Sequence, residues 1–325
     1  MVVDLNGDLI NDEKKTITQA VGITLQKHTH KFTNYVTKNI CQKRGESTDK
    51  NKIVNFIKRY DINWKKAIKC KNTKTVEECA KKFKTLNDFF IRKIYDEKKL
   101  IDYLSNSPKT FGSPADSRTL YLYNEKYAKK VWVKGTNYCV KCMLGISNNK
   151  EVSEYYNKSH ILISRLAHVD YHRFHSPVDG VFIGYYNIPG SYLSVDPKLI
   201  NSKKNVLTLN NRSVYFISTK YFGIIALCIV GACCVGSIKV HNHRVGYKIQ
   251  KGEEIGNFNF GGSTIVTVIP NNKNMEVIPE LKKNNKKETY VTVGTKLIAS
   301  NQQCKIYENV KKEMMKMIKI NKKKK

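Results

Sequence analysis

The chain has 325 residues, of which 41% are hydrophobic and 19 are tyrosine, and this composition excludes global disorder. Its length leaves room for one large domain or two modest ones with a full core. The formal net charge of +31 predicts attraction to a polyanion, either a nucleic acid or an anionic membrane surface.

The opening segment and the cysteines bear on the compartment. Residues 1–15 are neither apolar nor rich in Arg and Ser, so no signal peptide or transit peptide is evident. Nine cysteines without a secretory signal fit a reducing, intracellular compartment better than a disulfide framework. Cys139 and Cys142 form a CxxC motif that lacks a second pair, and we interpret it as structural or incidental.

Residues 1–110 are predicted to form a helical, basic N-terminal region. Two apolar stripes recur there at helical spacing: Ile53, Val54, Phe56, Ile57 and Tyr60, and then Leu86, Phe89, Phe90, Ile94 and Tyr95. Such stripes are typical of helix faces that pack on a core. The basic residues beside them keep a membrane-facing alternative open.

Residues 111–300 are predicted to form a β-rich body, because short β-rich segments alternate there with Gly and Pro. Within it, the apolar run at residues 221–240 is long enough for a transmembrane helix. Its three glycines and many β-branched residues favour two buried strands instead. Residues 301–325 are a Lys-rich tail, predicted to be a frayed helix or a disordered arm.

Three histidines lie within eight positions of the segment at residues 165–177. Side chains alternate between the two faces of an extended segment, so His172 and His175 are expected to point in different directions. This arrangement suits two separate tasks better than one metal site. A zinc site made of His168, Asp170 and His172 remains the alternative.

The segment at residues 251–270 is predicted to be a turn, a short strand, a Gly-Gly-Ser-Thr break and a second strand. Glycine leaves the Gly262 carbonyl unshielded, so the adjacent Ser263 hydroxyl is able to attack its own backbone. The alternative is a glycine-rich bulge between two strands. Asp116, just after a proline turn, supplies a further group able to do chemistry.

Several segments carry a resemblance to a known family. They are residues 84–93 (KTLNDFFIRK), 113–116 (SPAD), 133–135 (VKG), 165–180 (RLAHVDYHRFHSPVDG), 189–195 (PGSYLSV), 230–238 (VGACCVGSI) and 251–256 (KGEEIG), followed by GGST at residues 261–264. In this order they resemble the phosphatidylserine decarboxylases, self-processing enzymes with a pyruvoyl group. Two positions depart from the family pattern: Ser117 replaces a glycine and His168 replaces a proline.

The resemblance implies a self-processing triad of Asp116, His175 and Ser263. Ser263 Oγ would attack the Gly262 carbonyl, and the resulting ester would eliminate to split the chain between residues 262 and 263. The products would be a β chain, residues 1–262, and an α chain, residues 263–325, that begins with a pyruvoyl group formed from Ser263.

The family's reaction is implied in the same way. The amine of phosphatidylserine would form a Schiff base with the pyruvoyl group, and loss of CO₂ would lead to phosphatidylethanolamine. His172 would act in the decarboxylation, most simply by returning a proton to Cα. The resemblance implies no metal, and it does not identify the substrate-binding residues.

The expected fold is α+β, with the basic helical region packed on a β-rich body whose turns resemble those of a barrel-sandwich hybrid.

The expected partners are phosphatidylserine, the α and β chains of the same precursor, and an anionic membrane surface to which the basic residues bind peripherally, without a spanning helix. A homodimer is compatible with the family. No nucleic-acid partner is expected, because the dense aromatic and basic residues lie in helical segments rather than on a sheet face.

Three alternatives remain. A catalytically silent, anionic-lipid-binding relative predicts an intact chain after purification. A nucleic-acid-binding protein predicts aromatic and basic residues interleaved on one sheet face. A pyruvoyl decarboxylase for a soluble amino acid predicts turnover of free serine rather than of the phospholipid.

Overall fold

The computed structural model describes residues 2–6, 9–10, 42–104, 107–123, 139–194, 206–232, 238–261, 263–272, 274–283, 287–305 and 307–323. Its helices are α1 (Gln42–Gly45), α2 (Lys50–Tyr60), α3 (Val76–Lys81), α4 (Leu86–Phe90), α5 (Glu97–Leu104), α6 (Val140–Leu144), α7 (Lys150–Tyr155), α8 (Val206–Leu209), α9 (Pro279–Lys283) and α10 (Glu308–Lys323). Two 3₁₀ turns, Trp64–Lys66 and Ile68–Cys70, join α2 to α3. Gly262 and residues 133–135, which carry the expected cleavage site and one family motif, lie outside the described residues.

Fourteen of the sixteen described strands lie after residue 109. The strands are β1 (Val2–Val3), β2 (Leu9–Ile10), β3 (Thr110–Gly112), β4 (Ser117–Leu122), β5 (His160–Leu166), β6 (Arg173–His175), β7 (Gly180–Ile188), β8 (Arg212–Thr219), β9 (Gly223–Gly231), β10 (Ile238–Val240), β11 (Lys248–Ile249), β12 (Glu254–Phe258), β13 (Ser263–Ile269), β14 (Met275–Val277), β15 (Glu288–Val291) and β16 (Lys296–Ser300). They pair into one large sheet and two small ones.

The large sheet fixes the position of Ser263. Its ten strands run in the order β11-β7-β8-β9-β13-β5-β4-β15-β1-β2, so β13 has a neighbour on each side. Both neighbours are antiparallel, and Ser263 lies opposite Leu166 of β5 and Gly231 of β9. Every residue of β9 and β13 is buried, as expected for strands built from continuous β-branched and apolar runs.

A small sheet, β10-β12-β6, brings the histidine segment beside the segment that leads to the cleavage site. β12 pairs antiparallel with β6, so that Glu254 lies opposite His175 and Asn257 opposite Arg173. The amide of Phe258 also donates to the carbonyl of His172 at 2.9 Å. The second small sheet, β14-β16-β3, lies elsewhere in the β-rich body.

The helical region packs on the same end of the molecule. Thr85 and Asp88 form a reciprocal capping box that starts α4. The buried faces of α2 and α4 form one core cluster, and Phe260, two residues before Gly262, belongs to it. The helices are therefore in direct contact with the chain next to the expected cleavage site.

The last helix, α10, packs on the outer part of the large sheet. Val310, Met314 and Ile318 are buried at helical spacing, and α10 lies against β7 and α7. Gly184 of β7 has a φ of 143°, and a Cβ built on it would lie 3.0 Å from Ile318 Cδ1. Glycine at this position thus allows the close approach of the helix.

The α+β class is confirmed. Among the described residues none of the three sheets closes into a barrel. The predicted helical region differs at its start, because β1 and β2 join the large sheet through β15. The division at residues 110 and 300 stays a prediction.

The apolar run at residues 221–240 contains two strands, β9 and β10, as predicted. β9 is buried throughout, but β10 is partly exposed, which differs from the expectation of two buried strands. In the described part of the chain, no helix combines the length and the apolar character that a membrane crossing requires. The tail differs from the expectation of a frayed helix or disordered arm, because α10 buries three apolar side chains that anchor it to the sheet.

The expectation of reduced thiols is contradicted at two pairs of cysteines. Cys70 is bonded to Cys79 and Cys139 to Cys142. The first pair forms because the turn Ile68–Cys70 and helix α3 bury their cysteines against each other in the helical core cluster. Cys228 is a buried free thiol in β9.

Candidate active site

Ser263 and His172 form the centre of the site. Both side chains are fully buried, and Ser263 Oγ lies 3.1 Å from His172 Nδ1. His172 Nε2 lies 2.9 Å from the carbonyl oxygen of Ala167. Because a carbonyl only accepts, Nε2 carries the proton, and Nδ1 is left to accept the Ser263 hydroxyl hydrogen. The pair thus has the arrangement of a hydroxyl beside its proton acceptor.

The turn before His172 holds this tautomer in place. Asp170 Oδ2 accepts from the amide of Ala167 and from Arg118 Nη1, both at 2.6 Å. The Ala167 carbonyl in turn accepts from the amide of Asp170 at 3.0 Å. The ion pair of Arg118 and Asp170 is buried, so it fixes the turn and, through it, the carbonyl that orients the imidazole.

Helix α4 supports the imidazole from the other direction. The ring of Phe90 stacks on that of His172 with centroids 3.8 Å apart and an angle of 22° between the planes. Phe90 also packs edge-on against Phe260, with centroids 5.1 Å apart. Asn87, on the same helix, accepts from the amide of Phe260 at 2.8 Å. One short helix therefore contacts both the histidine and the chain just before Gly262.

The surroundings keep His172 neutral. Burial is the largest cause that lowers the pKa of His172 well below its ordinary value, and the neighbouring His168 and Arg92 lower it further. A neutral imidazole with a free Nδ1 lone pair is a competent proton acceptor at pH 7. The electrostatics and the geometry of the pair therefore agree.

Asp116 lies in a different set of contacts. Its Oδ1 accepts from the hydroxyl of Tyr95 at 2.9 Å and from the amide of Val293 at 2.7 Å. Burial raises the pKa of this carboxyl, and the two hydrogen bonds act in the opposite direction. The carboxylate is thus held in place by α5's preceding loop and by the segment after β15.

His175 faces away from Ser263, as the alternation of side chains predicted. Its Nδ1 donates to the carbonyl of Gly252 at 2.7 Å, so Nε2 is the acceptor for the Tyr171 hydroxyl, 3.1 Å away. The ring of Tyr171 packs edge-on against that of Tyr95, which binds Asp116. Two tyrosines therefore lie between the predicted triad members Asp116 and His175.

The structure thus places Ser263 in contact with His172. Asp116 and His175 instead contact other residues. His168 stacks on Tyr60 with centroids 5.5 Å apart, so each of the three histidines has its own surroundings. The roles assigned to these residues remain predictions.

Sequence reasoning gave no role in the reaction to Phe90, which stacks on His172, or to Tyr95, which binds Asp116, and it placed Asp170 only in the alternative zinc site. Phe90 was placed only on an apolar stripe, and its stack on His172 joins positions far apart in the chain. Asp170 carried one usable signal, because an aspartate three residues after Ala167 is placed to cap a turn. Tyr95 carried none.

Ser263, buried at the first position of a central strand, thus has a hydroxyl group in contact with a neutral histidine that can accept its proton. The family model described as phosphatidylserine decarboxylase matches residues 86–299. The chain belongs to the phosphatidylserine decarboxylase family.

Relatives in three organisms agree with this assignment. A phosphatidylserine decarboxylase proenzyme of Fusobacterium nucleatum is 34% identical over 258 residues, which cover 78% of this chain and 80% of the relative. One of Clostridium tetani is 31% identical over 82% of this chain and 84% of its own length. Phosphatidylserine decarboxylase proenzyme 2 of Komagataella phaffii is 38% identical over 67% of this chain, but the match spans only 22% of that longer protein.

Proposed function

We propose that this chain is a phosphatidylserine decarboxylase, which releases CO₂ from phosphatidylserine to give phosphatidylethanolamine after cleaving itself between Gly262 and Ser263. The observation that carries the proposal is the 3.1 Å contact between Ser263 Oγ and His172 Nδ1. Through this contact, the serine of the GGST motif, which is the proposed source of the reactive group, lies beside the neutral imidazole of His172. The family membership supports the same substrate and reaction class.

The residues around Ser263 fit a pyruvoyl group formed from that serine. The side chain is wholly buried, and the backbone before it bends through Gly261, whose φ of 143° is open to glycine. Such a group supplies an electron sink for the electrons that remain when CO₂ leaves. The protein contributes exclusion of water and an oriented imidazole, both of which favour proton transfer at one defined position.

We assign two tasks to the two histidines. His172 holds a proton acceptor, Nδ1, at the position of the Ser263 side chain, and we propose that it returns the proton to substrate Cα in the decarboxylation. Asp116 and His175 are proposed to act with Ser263 in self-processing, on the basis of the family resemblance. Tyr171 connects them, because it hydrogen-bonds His175 and lies within the electrostatic reach of Asp116.

We further propose that the enzyme binds anionic bilayers peripherally. The net charge of +31 and exposed lysines such as Lys52 on α2 and Lys312 on α10 support this proposal. Binding to vesicles should rise with their phosphatidylserine content and fall with increasing salt concentration. Binding that changes with neither would contradict the proposed peripheral membrane binding. The homodimer compatible with the resemblance is proposed as well, and native mass would test it.

The test of the proposed activity compares the purified wild-type chain with Ser263→Ala on phosphatidylserine vesicles. Wild type should produce phosphatidylethanolamine, and Ser263→Ala should produce none. Production of CO₂ from free serine but not from the phospholipid would favour a decarboxylase of soluble amino acids. An intact, inactive wild-type chain that still binds anionic vesicles would favour the silent lipid-binding alternative.

A further inference from the structure

A cavity of about 360 Å³ opens between the helical region and the histidine segment. It is lined by Ile68, Lys69, Phe83, Asp88, Ile91, Arg92, Lys93 and Arg173. Half of these residues are cationic. Such a cavity is suited to an anion, and the proposed substrate has a phosphodiester in its headgroup.

Arg92 is the least ordinary member of the lining. It is only 4% exposed, and its Nη2 donates to the carbonyl of Val169 at 3.0 Å and its Nη1 to that of Phe89 at 3.4 Å. Its Nε is buried and has no hydrogen-bond partner among the described residues. Burial lowers the pKa of Arg92 to about 10, so the guanidinium is still charged at pH 7. A buried cation with a spare donor is costly unless an anion binds near it.

The neighbouring carboxylates do not neutralise the cavity. Glu254 lies 2.6 Å from Arg173 Nη1 and 3.9 Å from Lys93 Nζ. The carboxylate of Asp88 is engaged in the capping box of α4. Lys69, Lys93, Arg92 and Arg173 together exceed Asp88 and Glu254 by two positive charges, and Arg92 also lies within the field of Asp170 and Asp116, of which Asp170 is already paired with Arg118. The remaining field favours an anion with several acceptor oxygens.

The cavity is lined by residues that adjoin the reaction centre along the chain. Ile91 and Arg92 follow Phe90, which stacks on His172, and Arg173 follows His172 itself. Arg92 also donates to Val169, within the turn that orients the imidazole. In phosphatidylserine, one oxygen and one methylene carbon separate phosphorus from the reacting Cα. A phosphate site must therefore lie close to the centre, and this cavity is lined by Ile91, Arg92 and Arg173, the residues that directly follow Phe90 and His172.

We propose that this cavity binds the phosphodiester of the substrate headgroup through Lys69, Arg92, Lys93 and Arg173. The assignment rests on the proposed function. The phosphodiester suits these cations better than the substrate carboxylate does, because a cation paired with that carboxylate stabilises the ground state and opposes the loss of CO₂.

The test neutralises the two exposed members, since replacing the buried Arg92 would also remove its hydrogen bonds to the carbonyls of Phe89 and Val169. Lys69→Gln/Lys93→Gln is compared with Lys71→Gln/Lys98→Gln, two exposed lysines on the same region that do not line the cavity. Both double variants lose two charges, so general electrostatic attraction changes equally. Intact mass first checks that each variant is processed like wild type.

The substrate is monomeric dihexanoyl phosphatidylserine, which removes bilayer binding from the measurement. We expect the cavity variant to raise KM about tenfold with kcat within about twofold, the mark of lost substrate binding. The control should stay within about twofold of wild type. Equal effects in the two variants, or no effect in the cavity variant, would overturn the proposal.

A second arm measures the binding of glycerophosphoserine by calorimetry, which needs no turnover. Wild type and control should bind it at least fivefold more tightly than the cavity variant. This arm distinguishes the proposed decarboxylase function from the proposed phosphodiester site. If a catalytically inactive chain binds the ligand and the cavity variant does not, the enzymatic function would be contradicted and the phosphodiester site would be supported. Glycerophosphate should inhibit competitively against the short-chain substrate. Non-competitive inhibition would mean that the cavity takes a free phosphate or a second lipid, and would overturn the headgroup assignment.

Discussion

At the scale of single residues, the two histidines of the segment DYHRFH have opposite surroundings in spite of their short separation. His172 offers Nδ1 to Ser263, whereas His175 offers Nε2 to Tyr171. Burial lowers the pKa of both. Each imidazole is therefore neutral at pH 7, and each has one acceptor nitrogen aimed at a hydroxyl group.

Two variants should separate their tasks. We expect His175→Ala to remain an uncleaved precursor, because the processing base needs carboxylate support, and Asp116 connects to His175 through Tyr95 and Tyr171. We expect His172→Ala to cleave but to lose decarboxylation by at least about 100-fold, the usual worth of a positioned proton donor. The opposite pattern would make His172 the processing base, as its direct contact with Ser263 also allows.

The stack of Phe90 on His172 gives a second prediction. Phe90→Leu keeps an apolar side chain but removes the flat surface that sets the ring orientation, so activity should fall about tenfold. Phe56→Leu is the matched control, since Phe56 belongs to the same core cluster and does not touch His172. Equal loss of activity in the two variants, at equal melting temperature, would show that the stack only contributes stability.

How far the sequence predicts this site is also visible at this scale. The GGST and DYHRFH motifs pointed to Ser263, His172 and His175, and the alternation of side chains correctly separated the histidines. The tyrosine pair between Asp116 and His175 was not foreseen. Contacts such as those of Phe90 and Tyr95 depend on how α4 and the following loop pack on the β-rich body, and no local pattern encodes that packing.

At the scale of elements, the turn between β5 and β6 transmits a buried ion pair to the reaction centre. Asp170→Asn removes the carboxylate charge from the buried ion pair with Arg118 and weakens the bond to the Ala167 amide. We expect the free energy of unfolding to fall by about 3 kcal/mol, with processing slowed because the carbonyl that orients His172 is released.

A matched control lies on the same sheet. Glu288→Gln breaks the buried, bidentate pair with Arg165 and should cost a similar free energy of unfolding, about 3 kcal/mol. It should be processed at close to the wild-type rate, because this pair does not hold the turn before His172. Chemical denaturation and the rate of chain cleavage measure the two effects separately. Slowed cleavage in both variants would assign the effect to stability alone.

The elements that the sequence predicted best are those with a local cause. The continuous apolar run predicted β9, and the first apolar stripe at helical spacing predicted α2. The second stripe predicted α4 only in part, because the helix ends at Phe90 and leaves Ile94 and Tyr95 in the following loop. The tail was mistaken for a frayed or disordered segment because its lysines dominate the composition. Val310, Met314 and Ile318 nevertheless form a narrow stripe, which becomes stable only once β7 offers a surface to pack on.

At the scale of the whole molecule, buried histidines should make the protein sensitive to acid. Burial lowers the pKa of His160 to about 4, and lowers those of His172 and His175 as well. Below the unfolded value of about 6.5, the unfolded chain binds more protons than the folded one, so stability falls as the pH falls. Asp116, whose pKa burial raises, acts in the opposite direction.

His160 isolates one contribution, because it lies at the start of β5, where it pairs with the far end of β13 from Ser263. His160→Asn keeps an acceptor for the Tyr121 hydroxyl but does not titrate. Between pH 7 and pH 4, its free energy of unfolding should fall by about 3 kcal/mol less than that of wild type. The measurement is denaturant unfolding at each pH. Identical pH profiles would contradict the assigned pKa.

The position of β13 bears on what cleavage does to the whole molecule. The proposed α chain, residues 263–325, would contribute the central strand β13 and the packed helix α10. β13 is paired along its length with both β5 and β9, which belong to the other chain. The two chains should therefore stay together in a native preparation and separate only under denaturing conditions.

A denaturing gel with intact mass on freshly purified protein, beside Ser263→Ala, tests most directly whether Ser263 becomes the reactive group. Wild type should give two chains that divide after Gly262, with the small chain lighter by one ammonia than the same chain beginning with serine, and Ser263→Ala should stay uncleaved. A single full-length wild-type chain, identical in behaviour to Ser263→Ala, would contradict the central claim that Ser263 is converted into the reactive group.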